Sequence, residues 1–151
     1  MKMNGEQRIP RDQETVWQAL NDLEVIKECV PGCESITTVA ENEHELAMTA
    51  AVGPVKAKFK GSLQVSDIDA PNSYRMQFQG QGGVAGFAKG EAVVNLTADE
   101  ADTLLAYTVE AQIGGKLAQV GSRLVDAAAK KMADAFFSRF NAKVAPPEAE
   151  A

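Results

Sequence analysis

Polar and apolar residues alternate from Met1 to Ile9, with Met3, Gly5, Gln7 and Ile9 on one side and Lys2, Asn4, Glu6 and Arg8 on the other. This period of two predicts a strand with one charged face. Pro10 ends it, and Asp12 is placed to cap a helix that carries Val16, Trp17 and Leu20 on one side. A second short helix is expected from about Leu23 to Cys29, stopped by Pro31-Gly32. From Ser35 to Gly114 the period of two returns, broken by turn residues at Glu41–Glu43, Gly53-Pro54, Ala70–Ser73, Gly80–Gly83 and Ala98–Asp102. Strands joined by such short turns pair antiparallel, because parallel pairing needs a long crossover.

The alternation also sorts residues by face. Leu46, Met48, Ala50 and Val52 share one side with Val55, Ala57, Phe59, Gly61, Leu63 and Val65. Tyr74, Met76 and Phe78 continue that side, then Ala88, Gly90, Ala92, Val94 and Leu96, then Leu105, Tyr107, Val109, Ala111 and Ile113. Lys56, Lys58, Lys60, Arg75, Gln77 and Glu110 fall on the other, so one face is apolar and the other wet. After Gly114-Gly115 the period becomes helical to about Lys143, with Leu117, Gly121, Leu124, Ala128, Met132, Ala135 and Phe136 in one stripe. Roughly 28 residues at about 1.5 Å each predict a single helix about 40 Å long, enough to lie across a sheet. The expected fold is α+β: a curved antiparallel sheet of about seven strands around a long C-terminal helix, with two short helices after the first strand. Residues 1–144 form one domain in this reading, and the Pro-rich stretch 145–151 is expected to be disordered.

Composition adds a reason to expect space inside. Aromatic residues are 6% of a chain that is 45% hydrophobic. The inward strand positions include Ala50, Ala57, Gly61, Ala88, Gly90, Ala92 and Ala111, and the helix adds Gly121, Ala128 and Ala135. Small inward residues leave either an apolar cavity, the usual form of a small-molecule site, or a helix seated close to the sheet. The net charge of -6 disfavours nucleic acid as a partner. No apolar run is long enough to span a membrane, and Met1–Pro10 lacks the apolar run of an export signal, so a cytoplasmic protein is expected.

Chemistry-bearing residues are sparse. Cys29 and Cys33 are spaced Cys-Val-Pro-Gly-Cys, which is not a zinc or redox pair, and the lone His44 lies at an expected hairpin tip far from both in sequence. No metal site and no catalytic residues are therefore assigned. Gly80-Gln-Gly82-Gly-Val-Ala85 matches a dinucleotide fingerprint in letters, but an alternating strand follows it where the fingerprint needs a helix. It reads as a hairpin, with Gly80, Gly82, Gly83 and Gly86 as a candidate gating loop carrying Val84, Ala85 and Phe87. The last helix is basic, with Lys116, Arg123, Lys130, Lys131, Arg139 and Lys143 against Asp126 and Asp134. This is the solvated side of an amphipathic helix or a docking face for anionic lipid or an acidic protein.

Five phrases carry a resemblance. They are Trp17-Gln-Ala-Leu-Asn-Asp, Cys29-Val-Pro-Gly-Cys-Glu, Val52-Gly-Pro-Val-Lys-Ala-Lys-Phe-Lys-Gly, the glycine-rich stretch from Gly80, and Gly114-Gly-Lys-Leu-Ala-Gln-Val-Gly-Ser-Arg-Leu. Together, over about Met1 to Phe140, the chain resembles the carbon monoxide dehydrogenase G-subunit family of the START/polyketide-cyclase-like (SRPBCC) helix-grip superfamily. The resemblance implies a hydrophobic-ligand-binding accessory protein for a molybdenum-containing hydroxylase of the carbon monoxide dehydrogenase type. It also implies links to membrane recruitment and to a quinone acceptor. Longer members continue into a hydrophobic anchoring tail, whereas this chain stops at Ala151, so any membrane contact is expected to be peripheral at the inner face.

The expected function is thus a non-catalytic carrier with no cofactor of its own, binding quinone or lipid. Candidate liners are Met48, Phe59, Met76, Phe78, Phe87, Tyr107, Leu117, Leu124, Met132 and Phe136. One alternative is a cyclase or hydrolase built on Tyr107 with Arg75 or Glu91, although strand parity puts the latter two outside. Another is an assembly factor with an unused cavity.

Overall fold

The computed structural model of the chain describes residues 1–146, so most of the expected disordered stretch, residues 147–151, lies outside the described residues. Asp12 caps α1 (Gln13–Leu20) by accepting the Thr15 backbone N–H at 3.1 Å and its hydroxyl at 2.8 Å. Asp22 caps α2 (Leu23–Cys29) through the Glu24 N–H at 3.0 Å. Both helices follow β1 (Lys2–Ile9). Six strands come next: β2 (Cys33–Ala40), β3 (Glu43–Val52), β4 (Val55–Asp69), β5 (Ser73–Gln81), β6 (Phe87–Asp99) and β7 (Asp102–Gly114). The seven strands make one antiparallel sheet in the order β1-β7-β6-β5-β4-β3-β2. His44 lies within β3, paired with Thr38, rather than at the hairpin tip.

Register confirms the face assignment pair by pair. Met48 opposes Phe59, Val65 opposes Met76, Met76 opposes Ala92, and Ala92 opposes Val109, so the apolar positions form continuous rows across the sheet. Two inward glycines let the sheet curve. A Cβ on Gly61 would sit 2.6 Å from the Gln79 carbonyl oxygen, and one on Gly90 would sit 2.0 Å from that of Glu110. Only a residue without a side chain tolerates that backbone approach.

The expected single C-terminal helix is interrupted. A short α3 (Lys116–Gln119) is followed by α4 (Ser122–Val144), with Gly121 at φ +97° between them. That conformation is outside the helical region, so the chain turns and the helical phase restarts. The apolar stripe shifts as a result. Phe137, Phe140 and Val144 are the buried residues of α4, while Leu124 and Met132 are 44% and 37% exposed.

The core fills only one half of the grip. Ile9, Val16, Trp17, Leu20, Tyr74, Leu96 and Leu105 pack with Phe137, Phe140 and Val144 under α1 and the C-terminal half of α4. Trp17 meets Tyr74 edge-on at 5.5 Å, and Phe136 stacks on Phe140 at 5.7 Å. Thr103, fully buried, donates its hydroxyl to the Arg11 carbonyl at 2.8 Å, so it costs the core no unpaired group.

Candidate ligand-binding site

Toward the other ends of the strands the inner face stays apolar but is no longer covered. Leu46, Met48, Ala50, Phe59, Met76 and Phe78 are all half-buried, in contrast to Tyr74, Val94, Leu96 and Leu105 on the same face. Four of the expected liners, Met48, Phe59, Met76 and Phe78, lie on this open face. Phe78 opposes Leu63 and Met76 opposes Val65 in adjacent rows, and Met48 opposes Phe59 two rows further along β4, with the Gly61–Gly80 pair between.

The remaining expected liners divide. Tyr107 lies deeper, stacked on Phe137 at 5.6 Å, its ring over Gly5 where a Cβ would meet the Tyr107 hydroxyl at 2.6 Å. Phe136 packs edge-on against Phe137 at 5.0 Å, partly buried against the core. Leu117 is buried on α3. Leu124 reaches toward the β3–β4 tip, where a Cβ on Gly53 would lie 3.0 Å from its Cδ1. Met132 is on the exposed flank of α4. Phe87 stands apart from the inner rows: it opposes Gly114 and alternates with the inward Ala88, which places its ring on the outer face. Sequence reasoning missed Phe137 and Phe140. Their spacing of three, continued four residues on to Val144, is the helical signal, one residue out of phase with the expected stripe.

The candidate gating loop is a folded unit at the rim. β5 continues through Gly80, which pairs with Gly61, to Gln81, so the loop is Gly82–Gly86 rather than Gly80–Gly83. Gly82 N–H donates to the Gly86 carbonyl at 2.8 Å, and Gly86 N–H donates back to that of Gly83 at 3.1 Å. Gly82 lies on the Phe59 ring, with a notional Cβ 2.6 Å away, and Gly86 lies against Gly114 and Gly115. Ala85 is 4% exposed and anchors the loop; Val84, 83% exposed, projects from its tip.

Few groups here are tuned for chemistry. Burial pushes the Tyr74 phenol up to about 12, and burial likewise raises the Cys29 and Cys33 thiols, the reverse of what activates a nucleophile. Arg75 bonds Glu91 at 2.9 Å and Asp67 at 3.1 Å on the outer face, so the two charged groups of the enzymatic alternative point away from the apolar rows and from Tyr107. Among the described residues no His, Cys, Asp or Glu cluster could hold a metal, and no helix is long and apolar enough to cross a membrane. A shallow, open depression of about 700 Å³ on the outer face is lined largely by polar side chains, including Gln64, Gln77, Gln79 and Gln112.

Comparison with known proteins gives one family and one fold. The family model for the G subunit of carbon monoxide dehydrogenase (CoxG) matches residues 5–145. The chain is similar to the crystal structure of a conserved protein from Geobacillus kaustophilus at 30% identity, covering 95% of each chain with a TM-score of 0.91. A START superfamily protein from Mycobacterium smegmatis shares 13% identity over 95% of this chain and 96% of its own, with a TM-score of 0.71. The ZhuI aromatase/cyclase from a Streptomyces species shares 9% identity over 95% of this chain and 93% of its own, with a TM-score of 0.65. The last two likenesses establish the START helix-grip fold and nothing further. No curated protein matches the sequence.

Proposed function

The chain belongs to the CoxG family of carbon monoxide dehydrogenase G subunits, and from that premise we propose that it is a non-catalytic carrier for a hydrophobic small molecule. The ligand class is an isoprenoid quinone or a lipid of similar shape. The protein serves as an accessory to a molybdenum-containing hydroxylase of the carbon monoxide dehydrogenase type. It works at the cytoplasmic side of the membrane, and residues 1–144 act as one ligand-binding domain.

One observation carries the reading: large apolar side chains on one inner face, Met48, Phe59, Met76 and Phe78, left half-exposed inside an otherwise packed grip. Apolar surface in water costs about 25 cal/mol per Å², so an apolar ligand that covers this face is stabilised there by burial alone. Small neighbours at Ala50, Ala57, Gly80 and Ala88 leave room beside these side chains. The ligand enters under the Gly82–Gly86 loop, which rests on Phe59 through a contact with no side chain on the loop's part.

The test is extraction of the purified full chain followed by mass spectrometry, together with titration of a water-dispersed quinone against Trp17 fluorescence. A stoichiometric lipid, or saturable quenching of Trp17, is the expected result. Protein that is free of lipid and unaffected by quinone overturns the carrier reading.

A further inference from the structure

Hydroxyls are scarce inside the grip, and two of them are used differently. Thr103 is fully buried and spends its hydroxyl on the Arg11 carbonyl at 2.8 Å. Tyr74 is buried as well, 8% exposed, but among the described residues its hydroxyl has no hydrogen-bond partner, and burial alone accounts for its raised phenol. Among those residues Asn141 Oδ1 is the one unpartnered side-chain oxygen or nitrogen wholly cut off from solvent, so the Tyr74 oxygen still opens on free space. A buried tyrosine O–H ordinarily finds a partner. One left unspent beside free space points to a partner from outside the chain.

Register puts Tyr74 on the boundary between the packed and open halves. It opposes Val94, Val94 opposes Tyr107 and Tyr107 opposes Gly5, so both tyrosines of the chain stand in one row across the inner face. On one side of that row is the packed pair Leu96 and Leu105. On the other is Met76, half-buried and opposite Ala92. Tyr74, Met76 and Phe78 share one side of β5, with Met76 about 7 Å and Phe78 about 13 Å beyond Tyr74 along the strand. The Trp17 ring meets Tyr74 edge-on at 5.5 Å from the α1 side. Tyr107 is different: it is half-buried, and its hydroxyl lies over Gly5 on β1, where solvent serves it.

We propose that Tyr74 selects the polar end of the ligand, its hydroxyl donating to a carbonyl oxygen at the floor of the open half. The inference rests on the carrier reading and narrows its chemistry: an apolar molecule ending in a carbonyl-bearing ring, as a quinone does, rather than a plain hydrocarbon. The head lies beside Trp17, and the apolar remainder runs along Met76 and Phe78 toward the Gly82–Gly86 loop at the other end of β5. Apolar sites fix the orientation of a ligand through a small number of placed polar groups, and Tyr74 is such a group. A molecule with no acceptor gains the apolar contact without the bond, because the hydroxyl stays unpaired beneath it.

Equilibrium dialysis of the full chain tests this with two probes, an isoprenyl 1,4-naphthoquinone and the isoprenyl naphthalene that lacks its carbonyls. Tyr74→Phe is expected to weaken quinone binding roughly three- to tenfold and to leave naphthalene binding unchanged. Tyr107→Phe should leave both unchanged. Without ligand at pH 7, the melting temperature of Tyr74→Phe should match or exceed that of the unaltered chain, because a hydroxyl with no partner in the protein supports nothing there. Isotope-edited infrared spectra should show the carbonyl stretch of the bound quinone below its value in hydrocarbon solvent, and Tyr74→Phe should abolish the shift. Equal losses for the two probes mean that Tyr74 acts by packing, and they overturn the proposal. Unchanged quinone binding, or an unshifted carbonyl on the unaltered chain, overturns it too. Those results leave the carrier reading standing, whereas an unaltered chain that binds neither probe sinks that reading and the proposal with it.

Discussion

Gly86 and Gly115 touch backbone to backbone: a Cβ on Gly115 would lie 2.5 Å from the Cα of Gly86, and one on Gly86 would lie 3.0 Å from the Cα of Gly115. The contact joins the rim loop to the start of α3, and each segment is pinned by one buried side chain, Ala85 and Leu117. Gly86 also has φ +109°, a conformation close to glycine-only. Gly86→Ala is therefore expected to destabilise the fold by about 1–3 kcal/mol from backbone strain, with the steric clash adding to it. Gly83, at φ +62° with nothing near its notional Cβ, is the contrast: Gly83→Ala should cost about 1 kcal/mol. Urea unfolding of the two variants checks the difference, and equal costs would show that the interlock is unimportant.

Phe140 is fully buried beneath Phe136 and beside Ile9 and Leu105 in the packed half. Phe140→Ala should cost about 3–5 kcal/mol through lost burial and the cavity left behind. In a domain whose total stability is about 5–15 kcal/mol, that is a large loss, visible in thermal unfolding.

Tyr74 supplies a pH signature. Its phenol is raised by burial to about 12, above the ordinary value of 10.0, so the folded state favours the neutral form. Stability from this group is fully present below pH 10 and is lost as pH rises through about 12, because only the unfolded chain ionises freely in that window. At about 1.4 kcal/mol per pKa unit the loss is on the order of 3 kcal/mol. Melting temperatures from about pH 8 upward should fall more steeply for the unaltered chain than for Tyr74→Phe, and parallel curves would refute the assignment.

For the proposed site, Ala57→Phe fills space beside Phe59 at a half-exposed position opposite Ala50. Quinone uptake should weaken at least tenfold, about 1.4 kcal/mol, while the melting temperature moves little. Phe87→Ala should leave uptake unchanged, since that ring lies on the outer face over Gly114. Fluorescence titration of both variants distinguishes a site on the inner rows from one on the loop's outer side.

Much of this arrangement is legible from residue patterns, and the misreadings have local causes. Strand faces are readable because a period of two survives curvature, so Met48, Phe59, Met76 and Phe78 fall together with no knowledge of the sheet's shape. The helix is harder. Alanine-rich stretches such as Asp126–Ala129 permit several apolar stripes, and the restart at Gly121 selects the one through Phe137 and Phe140. Phe87 is misread as a liner because its hydrophobicity outweighs its parity with Lys89 and Glu91, both outward. The half-open state of the inner face has no signal in local pattern, since it depends on where α1 and α4 come to rest.

That division between a packed half and an uncovered half separates two kinds of constraint on the sequence. Substitutions at Ile9, Leu105 or Phe140 act on whether the chain folds, whereas those at Met48, Phe59 or Phe78 act on a surface that folding leaves partly wet. The second group is thus free to change in size and shape at little cost to the scaffold. A grip of this kind can exchange one ligand for another by small steps, each intermediate remaining folded.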